Sequence, residues 1–333
     1  MTARAQPGEA PTVSVVITLY NKGPYIERAI RSVKAQDCLP DELIVVDDAS
    51  TDDGAEIAAR SLSRWPTSSQ LIRRQRNGGG EARSSMTGLR HASGSYVAFL
   101  DADDEWDSRF LSTCIDLLRV HPDAGASGSA RRTSTGEATT DLRLPPLMPD
   151  LIDLQQFVAL RGRGYAPIRV PTTLYRRETI DDIGGFVHAA RSANIDFIYR
   201  FFLSGQKYAY CTKSLATIHR TPLSMMEMTE VLPHRRWQWT VIDYIDHELS
   251  RDIVASDNRA TLLARDVVRH QKSSILTALR LGVLSPEFFR VLDALRHRLR
   301  HMRFLAHLAP SVQPLIAAGI ERVVRIVSRI RRR

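Results

Sequence analysis

The sequence predicts an α/β fold built on a doubly wound, mostly parallel sheet, and three features carry that expectation. Val13–Leu19 reads VSVVITL, a continuous run of β-branched and apolar residues suited to a strand buried on both faces. Runs of the same kind recur at residues 43–46 and 96–100. Between them the apolar spacing changes to the helical one, so strands and helices alternate along the chain.

Taken in order, the first strand gives way at Pro24 to a helical face of Ile26, Ala29, Ile30 and Val33, which stops around Cys38, Leu39 and Pro40. The second strand ends in Asp47 and Asp48, and a helix is expected over about residues 53–63. Residues 71–73 read as a weaker strand, 83–91 as a helix, and Phe110–Val120 as a helix with Leu111, Ile115 and Leu118 turned inward. Beyond Ala130 the period is lost. A polar stretch through Asp141 and a proline-rich one through Pro149 read as a mobile excursion. Order is expected to return with a strand at 172–175, a helix at 177–183, the Gly184-Gly185-Phe186 turn, a helix at 195–204, and two short strands near Tyr208 and Ile218. From about Glu230 onward the sequence reads as helical.

Charge is unevenly distributed. The 333 residues hold 46 Lys+Arg and 37 Asp+Glu, a net charge of +9. Ten arginines and one acid, Glu321, fall within residues 294–333, so the tail carries the whole excess and the body is neutral. Positive charge confined to a terminal segment points to an anionic surface rather than to nucleic acid, which is met by a basic folded face. Cys38, Cys114 and Cys211 are too few and too far apart for a disulfide framework or a CxxC metal or redox motif, and a reducing, cytoplasmic setting is expected. The short polar N-terminus has no apolar stretch that reads as a secretion signal.

No stretch reaches the roughly 20 apolar residues that a membrane span requires. The nearest, residues 304–320, is interrupted by His307, Pro310, Gln313 and Pro314. Past it, Ile320, Val323, Val324, Val327 and Ile330 share one helical face, while Arg322, Arg325, Arg329, Arg332 and Arg333 share another. That pattern suits a basic amphipathic helix lying on an anionic membrane, or one packed on the protein itself or a second copy.

In sheets of this type ligands sit at the carboxyl ends of the strands. Here those ends hold residues 18–22, Asp47 and Asp48, and Asp101-Ala102-Asp103-Asp104. The last group concentrates hard oxygen ligands whose mutual repulsion a divalent cation would relieve, or it caps the helix that begins near Ser108. An EF-hand is excluded, since counting from Asp101 puts Trp106 where glycine is required. Asp48 could hold a base or ribose, with Tyr20 as a stacking face. A dinucleotide fold is disfavoured because the loop after the first strand, Tyr20 to Pro24, has a single glycine. Asn77-Gly78-Gly79-Gly80 permits close backbone approach to a ligand, with Arg83 in reach of a diphosphate, or is simply a flexible turn. Asp196, at the start of an otherwise apolar helix, is either a cap or a candidate general base. His219, after the last strand, is a possible metal or phosphate ligand or a structural histidine.

These segments, in this order and spacing, resemble the family 2 inverting glycosyltransferases of GT-A fold. The segments are VSVVITLYNK (13–22), ELIVVDDASTDDG (42–54), NGGGEAR (77–83), ASGSYVAFLDADDEW (92–106), LYRRETIDDIGGF (174–186), NIDFIYRFFLSG (194–205) and IHRTPLS (218–224). The resemblance implies a Rossmann-like, mostly parallel sheet over residues 13–225, with a nucleotide-sugar half (13–130) and an acceptor half (131–225). These lie between a flexible N-terminus (1–12) and a C-terminal α-helical extension (226–333). It implies a nucleoside-diphosphate sugar donor, with UDP the expected nucleotide, and a glycan or lipid-linked acceptor attacked in line with inversion. Thr18, Tyr20 and Asp48 would hold the nucleoside and Arg83 the diphosphate side. Asp103 would be the principal ligand of Mn²⁺ or Mg²⁺ in a D-x-D motif, supported by Asp101 and joined by His219, and Asp196 would be the base. The chain departs from the family pattern at Ile195, where a second acid is common, and at Ser84-Ser85. It lacks Q-x-x-R-W after Asp196, which favours addition of one or a few sugars over processive synthesis. A nucleotidyltransferase on a similar sheet, and a silent membrane-recruited scaffold, are the competing readings. The basic tail would place the protein at the cytoplasmic face of a membrane.

Overall fold

The computed structural model describes residues 11–78, 80–186 and 193–221. In chain order the elements are β1 (Val13–Leu19), α1 (Gly23–Lys34), β2 (Glu42–Asp47), α2 (Gly54–Leu62), β3 (Ser68–Arg73), α3 (Glu81–His91) and β4 (Tyr96–Asp101). There follow β5 (Glu105–Trp106), α4 (Phe110–Val120), β6 (Ala124–Ser134), β7 (Thr139–Asp141), β8 (Leu151–Ile152) and α5 (Leu154–Gly162). The last are β9 (Thr173–Arg176), α6 (Arg177–Asp182), α7 (Ala193–Leu203) and β10 (Lys207–His219). The chain divides into one unit of Met1–Asp153 with Tyr165–Pro222 and another of Leu154–Gly164 with Leu223–Arg333. Within the second, α5 is the described element. The expected helical extension, its basic tail and the expected flexible N-terminus fall outside the described residues, Pro11 and Thr12 aside. Among the described residues no helix is long and apolar enough to cross a membrane.

One sheet runs in the order β3-β2-β1-β4-β9-β6-β10-β5. β1 pairs in parallel with β2 and β4, and β2 pairs in parallel with β3. β9 is inserted antiparallel between β4 and β6, so those two share a direction, and β10 runs parallel to β6. The expected doubly wound, mostly parallel sheet is therefore present.

β1 is buried on both faces, which explains its unbroken apolar run. Val13, Val15, Ile17 and Leu19 join Ile26, Ala29, Ile30 and Val33 of α1 and Phe110, Leu111, Cys114, Ile115 and Leu118 of α4 in one core. Each fully buried Val, Leu, Ile or Phe among them contributes about 1.5–3 kcal/mol. Against the other face α3 comes so close that a Cβ on Gly88 would strike the Val16 side chain.

Two sequence expectations need correction. The stretch read as losing order beyond Ala130 continues an eleven-residue strand, β6, that pairs with both β9 and β10. Its sequence, AGASGSARRTS, has almost no apolar signal, but the small side chains are what the position demands. A Cβ at Gly128 would collide with the Tyr208 hydroxyl and the Thr172 carbonyl. The polar stretch then turns back as β7, paired with β6. The two short strands near Tyr208 and Ile218 are a single thirteen-residue strand, β10, whose register shifts between Cys211 and Ala216 break the alternation that a sequence reading follows.

Candidate active site

Parallel pairing sets Leu19 beside Asp47 and Thr18 beside Asp101, so the carboxyl ends of β2, β1 and β4 form one edge. Tyr20 stands on this edge with 46% of its surface exposed. The loops after β1 and β2 pass through left-handed conformations at Asn21 (φ +49°) and Ala49 (φ +60°), which costs about 1–2 kcal/mol for a residue such as alanine. Hydrogen bonds between the loops hold them there. Asn21 N–H donates to Ser50 Oγ at 3.0 Å, and Asn21 Oδ1 accepts from Thr51 N–H at 2.8 Å. Asp52 accepts from the backbone N–H of both Gly23 (2.8 Å) and Gly54 (3.1 Å), tying together the starts of α1 and α2.

Asp48 is buried, ion-paired with Arg74, and accepts the Gly78 N–H at 2.9 Å. Gly78 is needed for this approach, since a Cβ there would meet Arg74 Nη1 and the stem of Arg83. Arg83, otherwise exposed, thus borders the loop that holds Asp48.

The acidic loop after β4 is the other half of the edge. Thr18 Oγ1 donates to Asp101 Oδ1 at 3.3 Å. Asp103 Oδ2 accepts from Lys22 Nζ at 2.6 Å and from Thr221 Oγ1 at 2.7 Å, and Arg28 donates to the Asp103 carbonyl. Asp104 accepts the backbone N–H of His219 at 2.9 Å. The loop is anchored downstream by Trp106, which stacks on Phe110 and donates to the Pro171 carbonyl at 2.8 Å.

Burial and crowding make ionisation costly here. Burial, then the Asp103 charge, pushes Asp101 up to about 6, with the Thr18 hydroxyl, Arg169 and Lys22 pulling the other way. Asp104 is raised well above the usual carboxylate range by burial and by Asp101 and Asp103. Glu81, in the first turn of α3 and hydrogen-bonded to the Asn194 amide, is lifted to about 8 by burial and by Asp101. A bound cation would relieve this repulsion. Among the described residues no group of three or more His, Cys, Asp or Glu side chains is placed to hold a metal ion. Two carboxylates nevertheless suit Mg²⁺ or Mn²⁺, which complete their shell with water and substrate phosphates.

The structure thus brings Thr18, Asp101 and Asp103 together, and gathers Asp48 and Arg83 around Gly78. The His219 ring hydrogen-bonds Glu105 Oε1 at 2.9 Å through Nε2, while its backbone serves Asp104. Asp196 lies in the first turns of α7, with its side chain outside the described set. Sequence reasoning assigned no role to Lys22, Arg74, Glu81 or Thr221. Lys22 lay within a quoted segment, but its partners Asp103 and Thr221 are 81 and 199 residues away, and no local pattern signals that.

Comparison with known proteins finds glycosyltransferases among the relatives and structural neighbours of this chain. An uncharacterized glycosyltransferase from Nostoc sp. is 29% identical over 174 residues, covering 51% of this chain and 52% of that protein, so the match spans about half of the relative's length. A Campylobacter jejuni protein named GalNAc(5)-diNAcBac-PP-undecaprenol beta-1,3-glucosyltransferase is 36% identical over 103 residues, 31% of this chain and 33% of that one. The crystal structure of S. aureus TarS 1-349 in complex with UDP-GlcNAc superposes with a TM-score of 0.72 at 20% identity, covering 96% of this chain and 91% of TarS, and shares its GT-A fold. The family model for glycosyl transferase family 2 matches residues 14–201, which include the β1, β2 and β4 ends and the start of α7; this chain therefore belongs to glycosyl transferase family 2 and carries that family's glycosyltransferase domain.

Proposed function

We propose that the chain transfers a sugar from a nucleoside-diphosphate donor to an acceptor hydroxyl, with inversion and dependence on a divalent cation, one or a few sugars at a time, in cell-surface glycan assembly. The observation that carries this reading is the Asp101–Asp103 pair at the end of β4, linked to β1 through Thr18, on the same sheet edge as exposed Tyr20 and buried Asp48. UDP-GlcNAc in TarS supports a UDP-sugar donor, and the undecaprenol-linked glycan in the Campylobacter relative's name supports a lipid-linked acceptor.

Tyr20 would stack on the base while Thr18 and Asp48 hold the nucleoside, and Arg83 would balance charge on the diphosphate. Asp103, with Asp101 and His219 in support, would hold Mn²⁺ or Mg²⁺, which when bound supplies positive charge opposite the departing nucleoside diphosphate. Asp196 takes the acceptor's hydroxyl proton as that oxygen attacks the sugar carbon, a contribution of about 10²- to 10⁴-fold. Residues 13–225 form the catalytic domain. Residues 226–333, read from the sequence as a helical extension, would hold the enzyme through their basic tail on the anionic cytoplasmic face of a membrane, near a lipid-linked acceptor.

A screen of nucleotide sugars for Mn²⁺-dependent thermal stabilisation tests the donor assignment without knowledge of the acceptor. Stabilisation by UDP-sugars that chelator abolishes is the expected result, and a screen in which no nucleotide sugar shifts the melting curve rejects the reading. Flotation with anionic liposomes, comparing the chain with and without residues 294–333, tests the tail; equal flotation of both forms rejects membrane attachment through it.

A further inference from the structure

Asp103 already has a cation. Lys22 Nζ lies 2.6 Å from Asp103 Oδ2 and 2.7 Å from Thr221 Oγ1, and the Thr221 hydroxyl donates to that same carboxylate oxygen at 2.7 Å. Both charged side chains are largely shielded, with exposures of 14% for Lys22 and 13% for Asp103. An ion pair this enclosed is screened little by solvent, so a second cation brought to the carboxylate meets the ammonium's repulsion. The geometry is held from three sides. Lys22 holds the N-cap position of α1, where its carbonyl accepts the Tyr25 and Ile26 N–H groups, Arg28 of α1 donates to the Asp103 carbonyl, and Thr221 follows β10.

We propose that Lys22 is an exchangeable counter-cation of Asp103: it neutralises the carboxylate in the donor-free enzyme, opposes binding of a divalent cation alone, and yields Asp103 when the cation arrives together with a diphosphate. The inference rests on the reading of Asp103 as the cation's ligand. A lysine suits the exchange because its ammonium is a point charge on a flexible four-carbon stem. A diphosphate gives the displaced ammonium new anionic oxygens as the carboxylate is taken from it. Cation and nucleotide then bind cooperatively, and by linkage each strengthens the other equally.

The test is calorimetric titration of Mn²⁺ into the full chain, with and without UDP, for the wild type, Lys22→Met, Lys22→Gln and Asp103→Ala. A lysine that only holds the loop would, on removal, weaken Mn²⁺ binding; a counter-cation gives the opposite sign, and one that moves to the diphosphate also takes the strengthening by UDP with it. Lys22→Met and Lys22→Gln should bind Mn²⁺ alone about tenfold more tightly than the wild type and lose most of the strengthening by UDP. Unchanged or weaker Mn²⁺ binding in both variants overturns the inference. Asp103→Ala separates the two levels, since Mn²⁺ binding there equal to the wild type would instead reject Asp103 as the ligand. Circular dichroism melting confirms that each variant is folded, and the two Lys22 substitutions, apolar and polar, guard against an effect of packing.

Discussion

Thr18 and Asp101 face each other in register across the β1–β4 pairing, and the Thr18 hydroxyl donates to the Asp101 carboxylate at 3.3 Å. This bond favours the ionised form of Asp101 in surroundings that oppose it. Thr18→Val keeps the shape and removes the donor. It should weaken Mn²⁺-dependent UDP binding about fivefold near pH 6.5, the equivalent of about 1 kcal/mol. The deficit should shrink at higher pH, where Asp101 ionises without help. Titration calorimetry at two pH values reads both effects, and a deficit independent of pH counts against the role given to this bond.

The acidic loop sets a pH dependence of stability in the cation-free enzyme. Asp101 is raised from 3.8 to about 6, so it holds its proton more tightly folded than unfolded. Its stabilising contribution is complete below about pH 3.8 and is lost as pH climbs through 6. Glu81, raised from 4.5 to about 8, acts in the same direction over a higher window. In chelator the melting temperature should therefore fall between about pH 5 and 8. Asp101→Asn should flatten the lower part of that fall, and Mn²⁺ together with UDP should restore stability at pH 7. Matching slopes for the wild type and Asp101→Asn would show that the carboxyl is not perturbed as described.

Asp196 and Asp103 should fail in different ways. Asp196→Asn removes the proposed proton acceptor and should lower turnover by 10² or more, with donor affinity changed less than about threefold. Asp103→Ala should weaken Mn²⁺-dependent donor binding itself. A transfer assay run beside donor titration distinguishes them, and loss of donor affinity in Asp196→Asn would argue for a binding role instead.

Gly128 is a stability prediction independent of chemistry. A methyl group there has no room between the Tyr208 hydroxyl of β10 and the Thr172 carbonyl just before β9, the two strands that flank β6. Gly128→Ala should cost about 1–3 kcal/mol or more, read as a lowered midpoint in urea. A variant as stable as the wild type would mean that β6 and β9 can separate locally without penalty.

By itself the sequence determined the elements whose burial is two-sided or whose period is clean. β1, β2, β4, α1 and α4 were legible because their interior positions are filled by large apolar side chains. The acidic loop was legible as well, because a strong apolar strand that ends in Asp101-Ala102-Asp103-Asp104 places its acids at the end of that strand, where ligands collect in such sheets. What tertiary structure alone decided is the pairing of distant segments. β6 is written in Ala, Gly and Ser, and its fit depends on Tyr208 and Thr172 elsewhere in the chain. The grip of Lys22 and Thr221 on Asp103, and of Arg74 on Asp48, likewise joins residues that share no local period. Hydrophobic patterning records which face of an element is buried; it carries no record of which polar groups meet when those faces close on one another.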